Sequence, residues 1–137
     1  VQGLARAGAH LTVASSSPKP YLMAGIQRCG FAPYLERVLS VEDVHSTKRE
    51  PDVWDRACEI MGTSKQLTWG VEDSVYAIGT LGGAGYRTLA IYDSDDAGTW
   101  DALQASAEHA IRSFEDLTVE EFLAWNEQPI FVGTANK

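Results

Sequence analysis

Short apolar runs alternate along the chain with longer segments in which apolar positions recur every three or four residues. The short runs predict four strands, which are LTVAS (11–15), a stretch within RVLSVEDV (37–44), LTWGVED (67–73) and RTLAIYD (87–93). The longer segments predict helices over 18–29, 51–61, 74–84 and 100–112, and a last helix that begins with a Thr118–Glu121 capping box. Strands separated by helices predict an α/β fold, a parallel sheet with helices on both faces.

Polar side chains end these predicted strands or follow them closely. Ser15 ends the first strand and Lys48 follows the second, while Glu72 and Asp73 end the third and Asp93 ends the fourth. Sheets of this kind bind ligands beyond the carboxyl ends of their strands. Each residue also has an ordinary structural explanation: a serine turn, a solvated loop lysine, or acids that favour the start of a helix.

Composition narrows the range of ligands. The chain has 137 residues, 45% of them apolar, and a formal net charge of -8. An acidic balance argues against nucleic acid and membrane surfaces as partners, because both reward clustered Lys and Arg. No apolar run is long enough to span a bilayer and no signal peptide is recognised, so we expect a cytoplasmic location. Cys29 and Cys58 fall in predicted helices, where we expect reduced, buried thiols rather than a disulfide.

A hydroxyl, an ammonium and two carboxylates at one sheet edge would suit a phosphate group held beside a metal ion. The Ser15 hydroxyl and the amide of Ser16 can donate hydrogen bonds to phosphoryl oxygens. Lys48 can neutralise negative charge on a transferring phosphoryl group. Glu72 and Asp73 can hold Mg²⁺ through oxygen. We therefore expect Ser15, Lys48 and Asp73 to meet at the carboxyl edge of the sheet.

Three of these segments, in order, resemble motifs of the haloacid dehalogenase (HAD) superfamily, in particular its phosphatase and phosphoglucomutase-like branch. TVASSSP resembles the strand that ends in Ser or Thr, STKREPDVW the lysine before a Pro-Asp helix start, and WGVEDS the acidic metal-binding pair. AGYRTLAIYD resembles the strand that follows, and the likeness spans residues 7–93. The resemblance implies a three-layer Rossmann-like core in which Ser15, Ser16 and Lys48 bind phosphate, and Asp73 with Glu72 holds Mg²⁺.

Two parts of the HAD pattern are absent from this sequence: the first motif, DxDx(T/V), which carries the nucleophilic aspartate, and the cap domain. We therefore interpret residues 1–137 as one domain, the C-terminal portion of a HAD-like core. Its motifs lie within about 7–93, a helical remainder within about 94–126 and a tail at 127–137. The resemblance puts the missing strand between those that end at Ser15 and Asp73. We expect open edges there, to be filled by the missing N-terminal segment or another chain.

The complete protein is thus expected to be an Mg²⁺-dependent phosphatase that acts on a small phosphorylated metabolite through an aspartyl-phosphate. Residues 1–137 alone are expected to be inactive, because the nucleophile lies elsewhere. Two alternatives stay open. One is a noncatalytic α/β binding module, and the other is a sugar-phosphate mutase.

Overall fold

The computed structural model describes residues 4, 8–16, 18–30, 32–35, 37–45, 47–92 and 100–127. Within these ranges strands and helices alternate in the order β1 (Thr12–Ser15), α1 (Lys19–Cys29), β2 (Arg37–Ser40), α2 (Asp52–Met61), β3 (Trp69–Glu72), α3 (Val75–Gly83), β4 (Arg87–Ile91), α4 (Trp100–Ser106), β5 (His109–Ile111) and α5 (Val119–Glu127). The chain divides into two compact units, Val1–Thr63 and Ser64–Lys137. That residues 1–137 form one domain stays a prediction.

The first unit is a two-stranded parallel sheet with its helices packed on it. β1 and β2 pair in register from Thr12 with Arg37 to Ser15 with Ser40. Helix α2 contacts both strands and α1 contacts β2. The apolar face of α2 is the core of this unit, where Val53, Trp54, Ala57 and Cys58 are buried. Both helices end at a left-handed glycine, α1 at Gly30 and α2 at Gly62, as the sequence predicts.

The second unit is a three-stranded parallel sheet in the order β3–β4–β5, with helices on both faces. Gly70 of β3 faces α3, because a Cβ atom added to it would lie 2.4 Å from a methyl carbon of Leu81. The neighbouring Trp69 points to the opposite face, where its ring packs against Phe122 and Trp125 of α5. Parallel pairing and helices on both faces confirm the predicted α/β class.

The predicted helix over 100–112 is wrong in its second half. α4 ends at Ser106, and His109–Ile111 form β5, which pairs with Leu89, Ala90 and Ile91 of β4. Leu103, Ala107 and Ile111 are buried at helical spacing, so the apolar pattern alone does not separate the two structures. The backbone groups along β4 need hydrogen-bond partners, and β5 supplies them. The segment 94–126 is therefore not wholly helical, and β4 is not the last strand.

The remaining sequence predictions have different outcomes in the structure. The Thr118 hydroxyl accepts the Glu121 amide at 3.1 Å and the Glu121 carboxylate accepts the Thr118 amide at 3.1 Å, which confirms the capping box. Cys58 is a buried, reduced thiol that donates to the Thr63 carbonyl. None of the helices in the described ranges has the length and apolar character that a membrane span needs. Predictions about Ser17, the Cys29 side chain, Asp93 and residues 128–137 lie outside the described residues.

The close approach of Leu81 to Gly70 suggests a test with a matched pair of mutations. Gly70→Ala should lower the free energy of unfolding by about 1–3 kcal/mol, because the fully buried Leu81 has little room to move. Gly79→Ala in α3 should raise it by about 0.5–1 kcal/mol, since nothing lies within 4 Å and alanine favours the helix. Urea denaturation of both variants measures the difference. Equal effects at the two positions would contradict the packing described for β3.

An aromatic cluster joins α5 to the amino ends of the strands in the second unit. Its members are Trp69, Arg87, His109, Phe122 and Trp125. The Arg87 guanidinium is 2% exposed, pairs with Glu108 and lies 4.6 Å from the Trp69 ring centroid. The His109 ring stacks on Trp125 with centroids 3.9 Å apart and planes 6° apart. Burial holds the pKa of His109 below its ordinary value of 6.5; Arg87 lowers it further, and Glu108 opposes the shift.

This lowered pKa predicts a loss of stability in mild acid. The unfolded chain takes up the His109 proton more readily than the folded chain does, so the contribution of His109 is complete above pH 6.5 and is lost as pH falls through the folded-state pKa. Denaturation midpoints measured from pH 7.5 to 5 should therefore fall more steeply for the natural protein than for His109→Phe. Parallel profiles for the two proteins would refute the assignment.

Candidate functional site

Ser15 lies where the sequence predicts it, as the last residue of β1. It is half-buried and pairs in register with Ser40, the last residue of β2. Ser16 follows in an exposed bend, and α1 begins at Lys19 after Pro18. The backbone at Ser15 and Ser16 thus runs from the carboxyl end of a parallel strand toward the start of a helix. Such a position suits hydrogen-bond donors for an anion.

A hydrogen-bonded turn follows β2 and directs the chain away from the sheet. The fully buried Ser40 accepts the Glu42 amide on its hydroxyl at 3.2 Å, and its own amide donates to the Asp43 carboxylate at 2.9 Å. The Asp43 carboxylate also pairs with Lys19 of α1 at 3.3 Å. The Ser40 amide, aided by Lys19, holds the pKa of Asp43 below its ordinary value, against a smaller opposing effect of burial. Our sequence reasoning missed Ser40, although its spacing from Asp43 resembles a capping box.

Lys48 lies in a tight turn just before α2. The Thr47 hydroxyl accepts the Arg49 amide at 3.3 Å, and the Thr47 carbonyl accepts the Glu50 amide at 3.2 Å. The half-buried side chain of Lys48 extends over Trp54, with its Nζ 5.6 Å from the ring centroid. Trp54 is 7% exposed and belongs to the core face of α2. The lysine therefore has a defined location in the first unit.

Glu72 and Asp73 lie at the carboxyl end of β3, as predicted. Glu72 is the last residue of the strand and pairs in register with Ala90 of β4. Asp73 follows it, and both are half-buried. Ser74 is the N-cap of α3, and its side chain makes no capping hydrogen bond. Two carboxylates beside a helix N-terminus are favoured electrostatically even without a metal.

The donor set of this acidic pair suits Mg²⁺. Magnesium prefers oxygen ligands, keeps several of its waters, and is often bound through one or two carboxylates plus substrate phosphates. Among the described residues, no three His, Cys, Asp or Glu side chains form a group that could hold a metal ion. Glu72 and Asp73 supply two carboxylates, which is a number of protein ligands that Mg²⁺ often takes.

The predicted site residues divide between the two units. Ser15, Ser16 and Lys48 belong to the first unit, and Glu72 and Asp73 belong to the second. In both units the residues end a parallel strand or follow one. The meeting of Ser15, Lys48 and Asp73 at one place stays a prediction.

Comparison with solved structures confirms the type of fold. The chain is similar to a HAD hydrolase of family IA, variant 3, from Entamoeba histolytica HM-1:IMSS, with 20% identity and a TM-score of 0.77 over 93% of this chain and 57% of that one. It is similar to a HAD family hydrolase from Deinococcus radiodurans R1 with bound phosphate and sodium, with 22% identity and a TM-score of 0.77 over 93% and 58% of the two chains.

A third similar structure is CbbY from Rhodobacter sphaeroides in complex with xylulose-(1,5)bisphosphate. It shares 21% identity and a TM-score of 0.73 over 85% of this chain and 52% of that one. The chain spans about half the length of the solved relatives it matches, 51%, 50% and 57% for three of them. No curated protein matches the chain.

The sequence itself carries the family pattern. The family model of haloacid dehalogenase-like hydrolases matches residues 1–91, a range that contains Ser15, Lys48, Glu72 and Asp73. The parallel strands that end at Ser15 and Glu72 agree with the motif order on which the resemblance rests. This chain therefore belongs to the haloacid dehalogenase-like hydrolase family.

Proposed function

We propose that the intact protein is an Mg²⁺-dependent phosphatase that acts on a small phosphorylated metabolite. One observation carries the proposal: in a chain of this family, the hydroxyl of Ser15 and the carboxylate of Glu72 each end a parallel strand. The carboxyl ends of parallel strands are where α/β proteins bind their ligands. A solved relative with bound phosphate and another in complex with a sugar bisphosphate support this class of substrate.

Each residue has a separate role in the proposal. Ser15 and the Ser16 amide bind the phosphoryl oxygens, and Lys48 stabilises the negative charge that develops on them. Asp73 with Glu72 holds Mg²⁺, which would shield the charge of the phosphate. These residues bind and orient the phosphoryl group but include no nucleophile.

The nucleophile is an aspartate outside residues 1–137, since the motif DxDx(T/V) does not occur in them. Its carboxylate attacks phosphorus, the bond to the leaving alcohol oxygen breaks, and the alcohol takes up a proton. Water then cleaves the acyl-phosphate bond and releases inorganic phosphate while the carboxylate is restored. The absence of the motif from this segment is also the reason to keep a noncatalytic binding module as the second candidate.

Asp73 is the first residue to test. In the intact protein, Asp73→Asn should weaken Mg²⁺ binding and slow hydrolysis of p-nitrophenyl phosphate by about ten- to a hundred-fold. Folding should be largely unaffected, because Asp73 is half-buried and lies outside the apolar core. Calorimetric titration with Mg²⁺ and initial rates at several Mg²⁺ concentrations measure both effects.

Asp116→Asn is the matched control, because it makes the same charge change at an exposed turn. Bound Mn²⁺ should also broaden the amide resonance of Ser16, and Asp73→Asn should abolish that broadening. Unchanged Mg²⁺ affinity and rate in Asp73→Asn would contradict the metal site. A Ser16 amide unaffected by bound Mn²⁺ would contradict the expected meeting of Ser15 and Asp73.

Lys48 should act mainly in the chemical step. Lys48→Ala in the intact protein should lower kcat for p-nitrophenyl phosphate by about a hundred- to a thousand-fold, with a smaller change in KM, because the charge it offsets grows during transfer. Arg49→Ala removes a neighbouring positive charge in the same turn and serves as the control. If the two variants lose activity equally, general electrostatics explains the effect and the assigned role of Lys48 fails.

A further inference from the structure

The Lys48 side chain lies over the buried ring of Trp54. Trp54 is 7% exposed and lies in the first turn of α2, whose N-terminus follows the Thr47–Pro51 turn. That turn is closed by the two hydrogen bonds to Thr47. The lysine backbone and the tryptophan ring are thus parts of one local structure, and the Nζ lies 5.6 Å from the ring centroid.

This contact solves a physical problem that a phosphate-binding lysine faces. A lysine side chain has four rotatable carbon–carbon bonds between its Cα atom and the carbon that carries its ammonium, and restricting them costs conformational entropy. An aromatic ring attracts a cation through its quadrupole at such a distance, and it carries no net charge. The ring therefore restrains the ammonium but does not neutralise its charge, whereas a carboxylate would.

We propose that Trp54 is a positioning residue that holds the Lys48 ammonium in place for the transferring phosphoryl group. The inference rests on the proposed role of Lys48 and adds a residue that does not itself contact the substrate. It treats the aromatic ring as part of the phosphate site, although Trp54 belongs to the hydrophobic core. If the role of Trp54 were purely structural, catalysis would not need its ring once the helix is stably folded.

A double-mutant cycle in the intact protein separates the two roles. Trp54→Leu should lower kcat for p-nitrophenyl phosphate by roughly three- to thirty-fold, the range expected for a cation–π contact. Trp54→Phe keeps a ring and should restore most of that loss. In a Lys48→Met background, Trp54→Leu should change kcat less than about two-fold, because nothing remains for the ring to hold. Val53→Ala creates a cavity beside the same helix and controls for lost packing. It should leave kcat unchanged.

A second measurement begins with the natural protein, and its first result needs no variant. In the nuclear magnetic resonance spectrum of the natural protein, the ring current of Trp54 should shift the ε-methylene protons of Lys48 upfield. Trp54→Phe should reduce this shift. Titration with inorganic phosphate should perturb the same resonance. This perturbation should be smaller in Trp54→Leu.

The outcomes are distinguishable. If Lys48→Met hydrolyses p-nitrophenyl phosphate at the natural rate, the proposed function of Lys48 is wrong. If Lys48→Met is impaired but Trp54→Leu keeps the natural kcat, or loses it equally in both backgrounds, only the positioning role is wrong. An unshifted ε-methylene resonance in the natural protein would also overturn it.

Discussion

Parallel pairing of short strands is the constraint on which the candidate chemistry depends. In a parallel pair both carboxyl ends lie at the same edge, so a polar residue that ends one strand lies beside the residue that ends its neighbour. Ser15 thus lies beside Ser40, and Glu72 lies beside Ala90. The strands β1 to β4 are only four or five residues long, and β1, β2 and β3 each end in a polar residue.

The two faces of β3 show how packing fixes that edge. On one face Gly70 lets Leu81 of α3 approach the strand closely, and α3 begins directly after the acidic pair. On the other face Trp69 packs against Phe122 of α5 and against the buried Arg87. Because both faces are covered within one strand, the backbone that leads to Glu72 and Asp73 cannot move without disturbing two layers. The two carboxylates therefore follow a strand that is packed on both faces.

Positive charge is organised by aromatic rings in both units of this acidic protein. Arg87 is buried against Trp69 and paired with Glu108, so its charge is satisfied inside the fold. Lys48 is half-buried and lies over Trp54 in the turn that precedes α2. The same type of contact thus has a structural use in one unit and a proposed functional use in the other. The difference arises from burial, because Arg87 is 2% exposed whereas Lys48 is half-buried.

The sequence by itself determined the α/β class, four of the five described strands and the positions of Ser15, Lys48, Glu72 and Asp73 relative to them. It could do so because apolar runs bounded by polar residues and Gly30 or Gly62 are local signals, and each strand end follows from its own few residues. The motif order within 1–91 also lies in the sequence, and the family follows from it. The last described helix was likewise predicted, because the bonds of its capping box join residues three apart.

The fifth strand, the side-chain contacts and the burial of Ser40 depend on long-range packing. His109–Ile111 form a strand because β4 offers them backbone partners, and that demand is made by residues about twenty positions earlier in the chain. The stacking of His109 on Trp125 and the passage of Lys48 over Trp54 depend on side-chain directions that spacing does not specify. The buried cap of Ser40 was missed for the same reason, since a serine at a strand end looks the same in sequence whether it is exposed or enclosed. Local patterns therefore determined the elements, whereas long-range backbone pairing and burial decided which side chains act together.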